Sequence, residues 1–367
     1  MTADELFLTH TPLPELLRRV CETPAPTFSE QQRAAVVHEV LQQAGLTPQL
    51  DDVGNVLAEL PGGTGPRVAL VAHLDSVFGP EVDVTIRETS SERWAAPGIG
   101  DNAASVAVLL GLAQQLSGLG EARPRLLLAF TVGEEGLGDL RGARHLVASH
   151  GEAIDVFLAV DGHLGTVIDA GVGSRRFRFS YAAEGGHSWG DFPSPSAVHA
   201  LGDAIHAVTR IPLPEEHRSS FNVAEVVGGT AINAIATSAS ATLDLRSVDE
   251  SSLRQMVEET EQRLRSVARR HRVGLEVEVL GERPAGKTDD GRLWEAARDA
   301  LAEVGIEAKR SSSSTDANAA MPQGIPAICL GVYRGGNAHR LDEWADPTSL
   351  EVGFTVLLSM LRKLATR

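Results

Sequence analysis

Residues 67–75 read RVALVAHLD, a short and nearly continuous apolar run that ends in His73-Leu74-Asp75. A run this short and this apolar fits a strand buried on both faces, as in a parallel sheet. Side chains two apart on an extended chain face the same way, so His73 and Asp75 can converge. Three more runs repeat the pattern. Residues 125–132 (RLLLAFTV) lead to Gly133-Glu134-Glu135, residues 154–160 (IDVFLAV) to Asp161-Gly162, and residues 326–333 (PAICLGVY) to a Gly-Gly turn and then His339. Helical patterns lie between them, notably 102–117 and 292–304. Strands alternating with helices predict an α/β fold built on a mostly parallel sheet flanked by helices. In such open sheets ligands bind beyond the carboxyl ends of the strands, which is where these acidic and histidine residues fall. Asp101, in GIGDN (98–102), stands at the start of the 102–117 helix, where the helix dipole favours a carboxylate.

The middle of the chain is patterned differently. Residues 175–183 alternate like a half-exposed strand, a helical pattern covers 195–209, and strand-like runs follow at 221–228 and 237–246. Ser247-Val-Asp-Glu250 reads as a capping box opening a long polar helix to about 271, and a last alternating run covers 274–280. The order β-α-β-β-α-β is the split βαβ pattern of a ferredoxin-like unit. It predicts a small domain at 174–283 inserted into a larger, discontinuous domain at 1–173 and 284–367. Gly62–Gly65 reads as a hairpin or strand-to-strand turn, because no Lys-Ser/Thr follows to make a phosphate loop. Ser311–Ser314 is a low-complexity stretch too short to mean disorder.

Composition narrows the function. The chain has 367 residues and a formal net charge of −16, which argues against a phosphate-backbone partner such as nucleic acid. Its two cysteines, Cys21 and Cys329, are too few for a disulfide framework or a cysteine-rich zinc module. The N-terminal stretch lacks a basic start followed by an apolar core, and no apolar run approaches the ~20 residues of a membrane helix. A cytoplasmic protein with no membrane partner is expected. Two histidines and several carboxylates at one sheet edge suit zinc or a similar divalent ion, and there are enough of them for two. A bridging carboxylate would hold such a pair ~3.5–4 Å apart, and one further carboxylate is needed to take a proton from the shared water. An HxD after a strand, a Glu pair or a GxGDN turn is unremarkable alone. All of them in order, at the ends of separate buried strands, are not.

HLDSVF (73–78), GIGDN (98–102), TVGEEG (131–136), VDG (160–162), GGHSWG (185–190) and STDAN…GIPAICLGVYRGGNAHRLDE (314–343) resemble the M20 family of co-catalytic zinc peptidases, peptidase T-like and carboxypeptidase G2-like members included. The resemblance runs from about residue 15 to the end of the chain. It implies that His73, Asp101 and Asp161 hold one metal ion, and that Asp101, Glu135 and His339 hold the other, with Asp101 bridging. Zinc is the expected ion, and cobalt or manganese suit the same ligands. A metal-bridging hydroxide would attack, with Glu134 as general base and then as the acid that protonates the leaving amine. Asp75 would hydrogen-bond the other nitrogen of His73. The inserted domain would be a lid and homodimerisation domain. Its His187 would support the oxyanion in the partner's site, and Asn233 and Arg246 would bind substrate, Arg246 through its planar fork.

In this family Asp at position 161 goes with aminopeptidase, dipeptidase and tripeptidase members, and Glu with carboxypeptidases and desuccinylases. The resemblance therefore implies an exopeptidase for short peptides, with a carboxypeptidase or N-acyl amino acid deacylase as the alternative. Arg340, where Ser is common, and Ala236, where Pro is common, depart from the family pattern without removing a ligand. A remote rival is a serine esterase, because Gly186-His-Ser-Trp-Gly190 fits G-x-S-x-G with Ser188 as nucleophile. Pro193 and Pro195 argue against it by breaking the helix an elbow needs. His163 is flagged as pocket-lining because it lies close to Asp161.

Overall fold

The computed structural model describes residues 11–115, 123–288 and 291–365. Its main strands are β1 (Gln49–Leu50), β2 (Val56–Leu60), β3 (Arg67–His73), β4 (Arg125–Thr131), β5 (Val156–Val160), β6 (Thr166–Gly171), β7 (Gly173–Ala182), β8 (Ser219–Gly228), β9 (Ser238–Ser247), β10 (Gly274–Arg283), β11 (Lys309–Ser313) and β12 (Ala327–Leu330). The helices are α1 (Leu13–Cys21), α2 (Gln31–Gln43), α3 (Ser105–Gln114), α4 (Arg141–His150), α5 (Ala197–Val208), α6 (Glu250–His271), α7 (Arg292–Glu303) and α8 (Ser349–Ala365). The chain forms two compact units, one of Met1–Gly171 with Lys287–Arg367 and one of Val172–Gly286.

The larger unit is built on an eight-stranded sheet in the order β1-β2-β4-β3-β5-β12-β6-β11. Its centre, β4-β3-β5-β12, is parallel, and antiparallel pairs occur at β1–β2, β2–β4 and β12–β6. Period-two alternation explains the unbroken apolar runs. Val68, Leu70 and Ala72 of β3 face the core under α1, α2, α3, α7 and α8, while Ala69 and Val71 face the core under α4. Residues Ser105–Ala113 of α3 are all buried, so the helix that follows Asp101 is anchored on every side.

Several expectations are corrected here. The 102–117 helix is α-helical only from Ser105 to Gln114, because Asp101 (φ −102°, ψ 96°) and Asn102 (φ −124°, ψ 27°) before it are not helical, and residues 116–117 lie outside the described residues. The 326–333 run yields a strand of only four residues, β12, because the chain then turns toward His339. Gly62–Gly65 is a strand-to-strand connection and not a hairpin, because β4 lies between β2 and β3. The serine run belongs to β11, a polar edge strand paired parallel with β6.

The smaller unit has a four-stranded antiparallel sheet in the order β8-β9-β7-β10, with α5 and α6 packed on its apolar face. That order is the ferredoxin-like arrangement of a split βαβ unit. The capping box is displaced by two residues. Asp249 is the N-cap of α6 and accepts a bond from the Ser252 N–H, while the Ser247 hydroxyl accepts from the Asp249 N–H.

Candidate metal centre

Three strands of the parallel centre end by delivering polar side chains to the same edge. His73 is the last residue of β3, Asp161 follows β5, and Glu134 and Glu135 follow β4 after the left-handed Gly133. A second, four-stranded antiparallel sheet (Arg87–Ser90, Arg93–Ala95, Arg334–Gly336 and Trp344–Asp346) carries the turn that holds His339. His339 itself has left-handed backbone, φ 65°, a conformation non-glycine residues adopt where the surroundings demand it.

Asp101 sits at the middle of the cluster. Its Oδ1 lies 3.0 Å from His73 Nε2 and its Oδ2 lies 3.1 Å from His339 Nε2. His339 Nε2 is also 2.9 Å from Glu135 Oε1, and Asp161 Oδ2 is 4.0 Å from His73 Nε2. Two groups with metal-ligand spacing result, His73–Asp101–Asp161 and Asp101–Glu135–His339, and Glu134 joins His73 and Glu135 in a third. His73 Nδ1 faces the backbone carbonyl of Asp75 at 3.0 Å, with the Asp75 carboxylate at 3.5 Å. An N–H at Nδ1 donating to that carbonyl leaves the Nε2 lone pair aimed at Asp101 and Asp161. His73 Nε2 and Asp101 Oδ1 are buried with no hydrogen-bond partner.

The carboxylate of Asp75 is used elsewhere: it accepts the N–H groups of Glu134 and Glu135 at 2.9 Å each and the Thr27 hydroxyl at 2.9 Å. Four supporting residues were given no role in the sequence reading. The buried carboxylate of Glu343 accepts N–H bonds from Gly98, Gly100 and Asp101, all at 2.9 Å, and so grips the loop that presents Asp101. Asn102 Nδ2 donates to the Val160 carbonyl at 3.1 Å, tying that loop to β5. Glu30 accepts from Gly133 N–H at 3.1 Å and fixes the turn before the Glu pair. Asp316, inside STDAN, accepts from the Thr131 hydroxyl at 2.6 Å and adds a buried negative charge beside Asp161.

The electrostatics show groups competing for protons. Burial, with Asp101 next to it, pushes Asp161 up to about 7. Burial likewise raises Glu343 to about 7, with Asp101 adding to it. For Asp101 burial is outweighed by His339 and His73, which hold its carboxyl well below the usual range. For His73 burial is outweighed by Asp101 and Asp75, and the ring is pushed well above its usual value. Asp101 and Glu135 raise His339 to about 11. So many carboxylates at one buried edge are costly without positive charge, and the donors are oxygens and imidazole nitrogens with one unpaired Nε2. The residues fit divalent cations.

His163 packs against Tyr333 with ring centroids 5.1 Å apart and the planes tilted by 60°, and burial lowers its pKa. His187, Asn233 and Arg246 belong to the smaller unit. His187 pairs with Ala234 across a short antiparallel bridge, and the Ser188 N–H donates to the Asn233 carbonyl at 3.0 Å, so His187 and Asn233 are neighbours. Arg246, on β9, has Nε 2.9 Å from Asp244 Oδ2. Ser188 lies in no strand-to-helix elbow. The chain after it turns repeatedly, α5 starts only at Ala197, and the Ser188 hydroxyl has no histidine or acid partner among the described residues. The serine-nucleophile geometry is absent there.

Comparison with known proteins agrees with this architecture. The chain is 20% identical to a tripeptidase from Staphylococcus aureus of known structure, with a TM-score of 0.82 over 97% of this chain and 98% of that one. A dinuclear metal-binding peptidase of family M20 from Bacillus subtilis superposes with a TM-score of 0.70 at 18% identity, over 95% and 96% of the two chains. A curated relative from Pyrococcus furiosus, provisionally named a LysW-lysine/LysW-ornithine hydrolase, is 35% identical over 80 residues, 22% of this chain and 23% of its own length. The chain thus spans about a quarter of that relative. Over most of its length, residues 69–363, it matches the sequence profile of Peptidase family M20/M25/M40, a family of metal-dependent hydrolases, and it belongs to that family.

Proposed function

We propose that this enzyme is a metal-dependent exopeptidase that hydrolyses short peptides from a free amino end. Asp101 carries the reading, with one oxygen 3.0 Å from His73 and the other 3.1 Å from His339, the disposition of a carboxylate shared by two cations. His73, Asp101 and Asp161 would hold one ion and Asp101, Glu135 and His339 the other, with zinc favoured and cobalt or manganese suited to the same donors. When bound, such ions polarise a scissile carbonyl and acidify water.

The chain's own residues supply the rest. Glu134 takes the proton of the attacking water and returns it to the leaving amine. Asp75 keeps Glu134 in place by accepting its N–H at 2.9 Å, and the His73 ring is oriented by the Asp75 carbonyl. Arg246 offers a fork for a peptide carboxylate, Asn233 binds the substrate backbone, and His187 supports the developing oxyanion in the site of the partner subunit. The smaller unit would serve as lid and homodimerisation domain. The aspartate at position 161 supports amino-end specificity, by the resemblance to aminopeptidase and tripeptidase members of the family.

A second reading, cleavage of an amide to release a basic amino acid, is favoured by the name of the Pyrococcus furiosus relative. A screen of the metal-reconstituted enzyme separates the two. Di- and tripeptides with free amino ends should be cleaved and amino-blocked ones should not. Preference for N-acyl amino acids, N-acyl lysine and ornithine among them, would overturn the peptide reading. No helix among the described residues is long and apolar enough to cross a membrane.

A further inference from the structure

The smaller unit contains a cavity of 420 Å³ whose lining residues were given no role in the proposed peptide hydrolysis. Ser188, Ser194, Ser196, His199, Arg270 and Arg272 line it, and no acidic residue does. In a chain of net charge −16 that is an unusual wall. On one side α5, twelve residues long, points its N-terminus at the cavity, where the Ala197 N–H is taken by the Ala236 carbonyl at 3.0 Å, the next N–H groups lack intrahelical acceptors and the helix dipole is positive. On the other side stand the arginines that close α6. Arg270 is engaged by Asp203 at 2.7 Å, but Arg272 has no acid partner among the described residues.

Ser196 points independently to a ligand. It is the N-cap residue of α5 and is 7% exposed, yet its side chain makes no capping bond. A buried N-cap serine ordinarily spends its hydroxyl on the helix's second or third N–H. Here the hydroxyl is left for whatever enters the cavity, together with the Ser188 and Ser194 hydroxyls. Asp191 is the nearest acid along this loop, and its carboxylate is occupied by the His187 N–H at 2.6 Å. The mouth is apolar: Phe192 and Ile232 line it and are 76% and 103% exposed.

We propose that this cavity binds a small molecule bearing a phosphate or carboxylate group, with its oxyanion between the α5 N-terminus and Arg272 and its body against Phe192 and Ile232. All the residues that line the site belong to the smaller unit, and none of them is a candidate metal ligand. Its walls belong to the same two loops that carry His187 and Asn233, so an occupant holds those loops together.

Equilibrium dialysis of the full-length enzyme against labelled inorganic phosphate, and separately against succinate, tests this at constant ionic strength. Saturable one-site binding of either anion is expected, and the tighter of the two names the ligand class. Arg272→Ala, at an exposed position, should weaken it at least tenfold, as should Ser196→Val. His73→Ala should leave it unchanged, since His73 belongs to the metal centre. Absence of saturable binding by both anions would overturn the proposal. So would binding indifferent to Arg272→Ala, or binding lost with His73→Ala, which would place the anion on the metals.

Discussion

Glu134 hangs from a backbone N–H pinned by Asp75 at 2.9 Å, so Glu134→Gln removes a charge without releasing the side chain from its place. Turnover should fall by ~10²–10⁴-fold, the range for losing a general base, while metal content measured by mass spectrometry stays at the wild-type level. Loss of metal would instead make Glu134 a ligand. Proton competition at the same edge gives a second expectation. Asp161 is raised from 3.8, and Glu343 from 4.5, each to about 7, so their contribution to stability is full below the lower values and lost as pH rises through about 7. Asp101 and Asp75 are lowered, so their contribution is already full above 3.8, and that of the raised His73 and His339 remains full below 6.5. Metal-stripped protein should therefore melt lower at about pH 7 than at about pH 5, with added cation raising Tm more at the higher pH. Equal metal-induced shifts at both would contradict this. Of these residues, His73, Asp101, Glu134, Glu135, Asp161 and His339 were legible in the sequence, because each follows a buried run or opens a helix. Glu343 was not: a lone acid after His339 reads as a solvated charge, and only the folded loop brings three N–H groups to it.

The Asp101 loop and the His339 turn behave as one element. Glu343→Ala would leave the Gly98, Gly100 and Asp101 N–H groups without their acceptor. Unpaired buried groups of this kind cost about 1–3 kcal/mol each. Denaturant titration should show that loss, and a competing chelator should strip the cations more readily. Unchanged metal affinity would mean that the loop holds Asp101 without help. The last helix, α8, is seated by a glycine: a Cβ at Gly353 would stand 1.8 Å from the Val332 carbonyl oxygen. Gly353→Ala should destabilise by about 1–3 kcal/mol or more, as overpacking does, read as a lower denaturation midpoint at unchanged m-value. The central strands were legible because alternation toward two cores leaves no polar position. The edge strand β11 was not, since a serine-rich sequence carries no apolar signal and is held by its pairing with β6. The start of α6 was misread for a local reason: Ser247 and Asp249 are both good caps, and Asp249 reaches the Ser252 N–H.

At the scale of the whole molecule, chain order told more than any single motif. His73, Glu134, Glu135 and Asp161 recur at strand ends because a parallel sheet returns the carboxyl ends of its strands to one edge, and the turn of the second sheet brings His339 to them. The inserted βαββαβ pattern, with its β8-β9-β7-β10 sheet, was legible through its change to half-buried alternation. The cavity beside α5 was not, since its arginines and serines are far apart in sequence and individually ordinary. Diffraction from crystals grown with zinc, with anomalous differences collected at the zinc edge, addresses the shared carboxylate most directly. Two peaks are expected, one about 2.0–2.2 Å from His73, Asp101 and Asp161 and one at the same distance from Asp101, Glu135 and His339. A single peak, or two peaks with no common Asp101, would contradict it.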